Sequence, residues 1–168
     1  VYFNDNGRLH VPTRNLVTIL ANVNYPKSTG HLELRSSDPR QPVAIYPRLL
    51  DHPDDIACVL RGLDWIRKLA STPPFGSHVR ELIEVPAEGA GPAADEAYAR
   101  KATVPFLHPV GTCRMGADES AVVSPELRVR GTEGLWVADA SIFPRHIAGN
   151  TNATAIMIGE RAADLIYP

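Results

Sequence analysis

Gly149-Asn150-Thr151-Asn152-Ala153-Thr154 runs into Ile156-Met157, Ala162-Ala163 and Leu165-Ile166, and this stretch decides how the rest is read. The apolar residues recur at helical spacing, so a helix is expected from Asn150 to Ile166. Asn and Thr ahead of it are good N-cap residues. A helix N-terminus also presents free N–H groups and a partial positive charge, which suit an anion or an electron-rich carbonyl. The residues alone leave both uses open.

Working upstream, Leu135-Trp136-Val137-Ala138 reads as a strand that ends in Asp139-Ala140-Ser141. A carboxylate at a strand end fits a cofactor loop and an ordinary turn equally well. Residues 121–137 hold two short β-like runs around Gly131 and Gly134. Before them, Val104-Pro105-Phe106-Leu107-His108-Pro109-Val110-Gly111-Thr112 has too many breakers for a regular element. His108 sits there between an apolar run and Pro109. Pro fixes φ and Gly permits close approach, so such a backbone can press a side chain against a ligand. A partly buried structural histidine is the competing reading.

The front half predicts an α+β arrangement. Residues 1–15 read as a loop or hairpin around Asn4-Asp5-Asn6-Gly7. Leu16 to Val23 is β-rich and apolar, a buried strand candidate. His31 to Ser36 alternates polar and apolar, a half-buried strand, and the two together predict an antiparallel pair. Four prolines from Pro39 to Pro53 predict irregular backbone. Asp51 to Ala70 predicts a helix, with Asp51 as cap, Pro53 in the first turn, and Ile56, Val59, Leu60, Leu63, Ile66 and Leu69 on one face. Residues 75–91 read as loop, and Asp95 to Thr103 as a short helix.

Composition narrows the function. Of 168 residues, 44% are hydrophobic and 21% charged, and the net charge is −2, which excludes a disordered chain and gives no basic surface for nucleic acid. Cys58 and Cys113 allow at most one bridge, and no cysteine or histidine pair has zinc-site spacing, so no metal site is expected. No apolar run reaches the length of a membrane span. The six histidines are His10, His31, His52, His78, His108 and His146. All but His108 and His146 lie in polar or turn-like surroundings, as solvated surface residues do. Val1-Tyr2-Phe3-Asn4-Asp5 is not a signal peptide and reads like the middle of a longer protein. No compartment is read from it.

Five segments, in order, carry a family resemblance. They are His108-Pro109-Val110-Gly111-Thr112-Cys113-Arg114-Met115-Gly116, Ala121 to Gly131, Gly134 to Pro144, Gly149 to Thr154, and Gly159 to Ile166. They resemble the C-terminal part of glucose-methanol-choline (GMC) flavin oxidoreductases, the group of alcohol oxidases and choline dehydrogenases. Pro26 to Pro39 also looks like that family. The resemblance covers residues 20–168, most strongly 104–168.

The resemblance implies a substrate-binding domain on an antiparallel sheet over residues 1–110. It further implies that residues 111–168 return to, and complete, a Rossmann-type FAD domain. It implies FAD-dependent oxidation of the CH–OH group of a small alcohol. His108 is then the catalytic base and Asn150 the second active-site residue. Asp139 and Ala140 pass near the FAD pyrophosphate, and Asn150, Thr151 and Asn152 lie beside the flavin. His146 does not match a family position and is left as a structural or surface residue. The Gly-x-Gly-x-x-Gly turn of the family's FAD domain is absent from this sequence. The expectation is therefore that the main FAD-binding portion lies in another segment or a second chain. A lyase on the same scaffold, resembling the hydroxynitrile lyases, and an inactive fragment are the alternatives.

Overall fold

The computed structural model describes residues 2–3, 9–10, 15–87 and 89–167. The chain divides by packing into two units, Val1–Gly30 with Pro47–Val104, and His31–Tyr46 with Pro105–Pro168.

The first unit starts with β1 (Tyr2–Phe3) paired antiparallel to β2 (Leu9–His10), in register Tyr2 with His10 and Phe3 with Leu9. This is the hairpin expected there; its turn lies outside the described residues. Its main elements are α1 (Pro53–Ser71) and α2 (Pro92–Ala102). Both carry a proline in the first turn, where a missing N–H costs nothing. The cap of α1 differs from expectation: it is His52, whose Nδ1 accepts from Asp54 N at 3.1 Å, while Asp51 stays outside. Helix α2 begins three residues earlier than its apolar pattern suggested, because Gly91 and Pro92 start it. Leu50, Ile56 and Ala99 form the buried cluster, and Val23, Val59 and Leu60 pack on it. Arg67 holds Asp95 through two bonds of 2.7 and 2.6 Å, joining α1 to α2.

The expected strand from Leu16 to Val23 is not formed; residues 15–30 contain neither helix nor strand. A strand needs a hydrogen-bonding partner, and among the described residues none pairs with this run. Its side chains are used differently. Ile19, Leu20 and Ala21 lie along Gly62, Trp65, Ile66 and Leu69 of α1. Gly62 permits this: a Cβ there would collide with the Cβ of Ala21.

In the second unit, β3 (His31–Glu33) pairs antiparallel with β4 (Ala44–Tyr46), in register His31 with Tyr46, Leu32 with Ile45 and Glu33 with Ala44. The partner of β3 thus comes from the proline-rich stretch expected to be irregular. Pro42 and Pro47 bracket β4 rather than interrupt it, so no ladder N–H is lost. β3 is exposed along its length rather than half-buried, and the His31 ring stacks on Tyr46 with centroids 4.7 Å apart.

Residues 115–137 form single β-bridges in place of the two expected runs: Met115 with Val123, Val123 with Val129, and Arg128 with Trp136. Gly131 (φ +74°) and Gly134 (φ +69°) turn the chain too often for longer strands. A 3-10 turn at Ala140–Ile142 follows, and α3 (Asn152–Ile166) closes the unit. Val123, Leu127, Ile142, Phe143, Ile158 and Ala162 make its core.

The α+β expectation therefore holds at the level of three helices and short antiparallel pairs. Much apolar surface stays uncovered within this chain, including Val17, Leu34, Ile45, Leu107 and Trp65, the last 67% exposed. No helix among the described residues is long and apolar enough to cross a membrane.

Candidate functional site

The site is built from the second unit. Leu107 adopts φ +61°, a left-handed conformation unusual for a branched residue. Its side chain is 80% exposed. This turn delivers His108 half-buried, with the Phe106 ring tilted against it at 6.0 Å. After Pro109 the chain reverses at Gly111 (φ +86°). It is then stitched to the 3-10 turn by Cys113 N to Ser141 O (2.9 Å) and Met115 N to Ile142 O (2.8 Å).

Thr151 meets His108 from the other side. Its Oγ1 lies 3.1 Å from His108 Nδ1, although 43 residues separate the two. Thr151 is 9% exposed, and with Asp55 it makes up the buried polar or charged residues among those described. The capping role expected at the start of α3 is not taken up by its hydroxyl. The Thr151 backbone is already helical (φ −79°, ψ −14°), and its side chain makes no cap bond. The hydroxyl serves the imidazole instead.

His146, set aside in the sequence, also reaches the site. Its Nε2 lies 3.0 Å from the His108 carbonyl oxygen and its Nδ1 2.7 Å from Ile147 O. Each distance suits a ring N–H donating to a carbonyl; the neutral ring donates to one of the two, the imidazolium to both. No motif or spacing marks His146, because its target is a backbone atom 38 residues away.

Asn150 and Asn152 stand exposed on either side of Thr151 at the amino end of α3. Asp139 behaves as a turn residue: its Oδ1 accepts from Ser141 N at 2.7 Å and caps the 3-10 turn before Ile142. The structure therefore brings together His108, Thr151 and His146. Asp139 and Ala140 share the turn to which the His108 segment is tied, without a hydrogen bond to the imidazole.

Arg114 forms a separate exposed cluster with Asp118 and Ser120, through bonds of 2.7 and 2.6 Å to its Nη2. The Arg114 and Ser120 bonds hold the Asp118 carboxyl well below the usual carboxylate range. That pairing leaves Arg114 committed to its own loop.

Known proteins resemble this chain in sequence and fold. A family model described as GMC oxidoreductase matches residues 26–159. An alcohol dehydrogenase [acceptor] of Pseudomonas putida is 42% identical over 144 residues, covering 84% of this chain and 26% of its own length. A choline oxidase of Arthrobacter globiformis is 39% identical over 158 residues, covering 92% of this chain and 29% of its own. Among solved structures, an FAD-dependent oxidoreductase from Chaetomium thermophilum superposes with a TM-score of 0.75 at 30% identity, covering 84% of this chain and 25% of that one. The chain thus spans little more than a quarter of the length of the curated relatives it matches. With a family model matched over residues 26–159 and relatives about 40% identical across most of its length, this chain belongs to the GMC oxidoreductase family.

Proposed function

We propose that this chain is the substrate-side portion of an FAD-dependent enzyme that oxidises the CH–OH group of a small alcohol to a carbonyl. In this reading residues 1–110 belong to the substrate-binding domain and residues 111–168 complete the FAD domain. The remainder of the FAD site comes from a further segment or a second chain. The observation that carries the reading is His108 itself: an imidazole whose Nδ1 is engaged by the Thr151 hydroxyl and which sits on a turn tied to Ser141 and Ile142.

The residues present fit the cofactor. The first turn of α3 is left uncapped by Thr151, and a Cβ added at Gly149 would meet nothing within 4 Å. Open N–H donors and a helix dipole there suit the electron-rich pyrimidine edge of a flavin. Asn150, Thr151 and Asn152 would hold that edge. At Asp139–Ala140 the carboxylate is already occupied by Ser141 N, so the turn would face a pyrophosphate with its backbone. When bound, FAD supplies the acceptor for the hydride that leaves the alcohol carbon.

The chain's own residues do the rest. His108 takes the hydroxyl proton at Nε2, a task suited to a neutral imidazole. Asn150 does not titrate; its amide orients the substrate oxygen. The test is anaerobic mixing of the full-length flavoprotein with primary and secondary alcohols. Bleaching of the flavin band at about 450 nm is expected in the wild type. His108→Ala should slow it by about 10²- to 10⁴-fold. Unchanged bleaching in that variant would sink the assignment.

A further inference from the structure

The base reading leaves open which ring nitrogen of His108 accepts the proton and what fixes that choice. We propose that Thr151 is a positioning residue that holds His108 in the Nδ1–H tautomer, with His146 clamping the same residue by its backbone. This rests on the reading of His108 as the base.

Two observations place the hydroxyl on the ring, and the role of His108 as base selects which of the two partners donates. The Thr151 hydroxyl is buried, and a buried hydroxyl must find a partner. It does not cap α3, because its backbone is already helical, so His108 Nδ1 at 3.1 Å is where it is spent. A neutral imidazole has one N–H donor and one bare acceptor, so the bond made at Nδ1 decides what Nε2 can do. With Nδ1–H donating to Oγ1, Nε2 is bare and able to take a proton. With Oγ1–H donating to Nδ1, Nε2 carries the hydrogen and the ring cannot act as base.

The second hold is His146 on the His108 carbonyl at 3.0 Å. The residue is thereby held at ring and backbone, next to the left-handed turn at Leu107. Ring orientation and tautomer are the properties an outlying partner sets on a histidine; at metal-binding histidines loss of such a partner costs about 10- to 100-fold, and the same order is expected here.

The experiment uses the full-length holoenzyme labelled with ¹⁵N-histidine, with the His108 signals assigned by their loss in His108→Gln. The wild-type spectrum, recorded without substrate, should show a protonated Nδ1 and a bare Nε2. Thr151→Val should erode that preference and lower kcat by about 10- to 100-fold at little-changed KM. Thr151→Ser should restore both, since it returns the hydroxyl. A wild-type His108 with Nε2–H and bare Nδ1, or protonated on both nitrogens at the pH of maximal turnover, overturns the proposal whether or not the Val variant folds. So does Thr151→Val with unchanged tautomer and kcat. Failure of the base reading shows separately, as turnover surviving in His108→Ala.

Discussion

Replacing Asp55 should loosen the segment that leads into β3, by an amount the structure allows to be worked out. Asp55 is 3% exposed. Its carboxylate accepts Lys27 N at 3.0 and 3.1 Å, Ser28 N at 2.7 Å and the Ser28 hydroxyl at 2.5 Å. That hydroxyl in turn accepts His52 N at 3.0 Å, just ahead of α1. Asp55→Ala leaves two amides and a hydroxyl without their partner, each worth about 1–3 kcal/mol if shut off from water. Lys27 is exposed and Ser28 half-buried, so water reclaims much of this and the lower bound applies. The expected loss is about 2–3 kcal/mol, or about 30- to 150-fold in a local opening equilibrium. Hydrogen exchange of the Lys27 and Ser28 amides reads that ratio.

Its pH dependence is also fixed. Burial pushes the Asp55 carboxyl up, but the bonds from the Ser28 hydroxyl and the Lys27 and Ser28 amides outweigh it and hold it below the ordinary carboxylate value. A carboxyl more acidic in the folded state stabilises fully above its unfolded value of about 3.9, and less as pH falls through the folded value. Corrected for intrinsic rate, protection should be flat above that point and fall below it. In Asp55→Asn it should be low and flat. Exchange faster by less than about threefold in Asp55→Ala would refute the reasoning, since that is under 1 kcal/mol.

Two further outcomes concern close approaches. Gly62→Val places a side chain against Ala21 and should lift residues 19–21 off α1 at a cost of about 1–3 kcal/mol, visible as protease cleavage within that run. Gly111→Ala forces an L-residue to φ +86° with its Cβ 3.4 Å from Phe143 O, and should destabilise by about 1–2 kcal/mol, with Gly111→Asn milder in the same thermal-unfolding series.

The helices are legible in the sequence because their evidence is local: the apolar period and Pro53 lie within the elements they mark, although Gly91-Pro92 reads as the end of a loop rather than as the start of α2. Strand identity is not. The apolar run at Leu16–Val23 has β composition, yet whether it pairs or packs depends on α1, dozens of residues away. The prolines around β4 signalled breaks, and only the pairing with β3 shows them as brackets. The site divides the same way. His108 and Asn150 came from resemblance, and their roles remain proposals. The contacts of His108 with Thr151 and with His146 link residues 43 and 38 apart and have no periodic signature. The sequence offers Thr151 as a cap or flavin neighbour, whereas its hydroxyl faces the imidazole. His146 carries no sequence signal because it acts on a carbonyl, which every residue has.

The uncovered apolar surface has a practical side. Dyes that brighten on exposed hydrocarbon report loss of packing in most proteins. On this segment taken by itself they should glow around Val17, Leu34, Ile45 and Trp65 before anything melts. The two tryptophans offer a better signal, because they start in unlike surroundings. Trp65 faces solvent beside Lys68, whereas Trp136 lies half-buried under the Arg128 guanidinium, 4.8 Å above its ring. A blue-edge emission from Trp136 that moves red on heating follows the second unit alone, and Trp65 supplies its own internal standard for a side chain that was never enclosed.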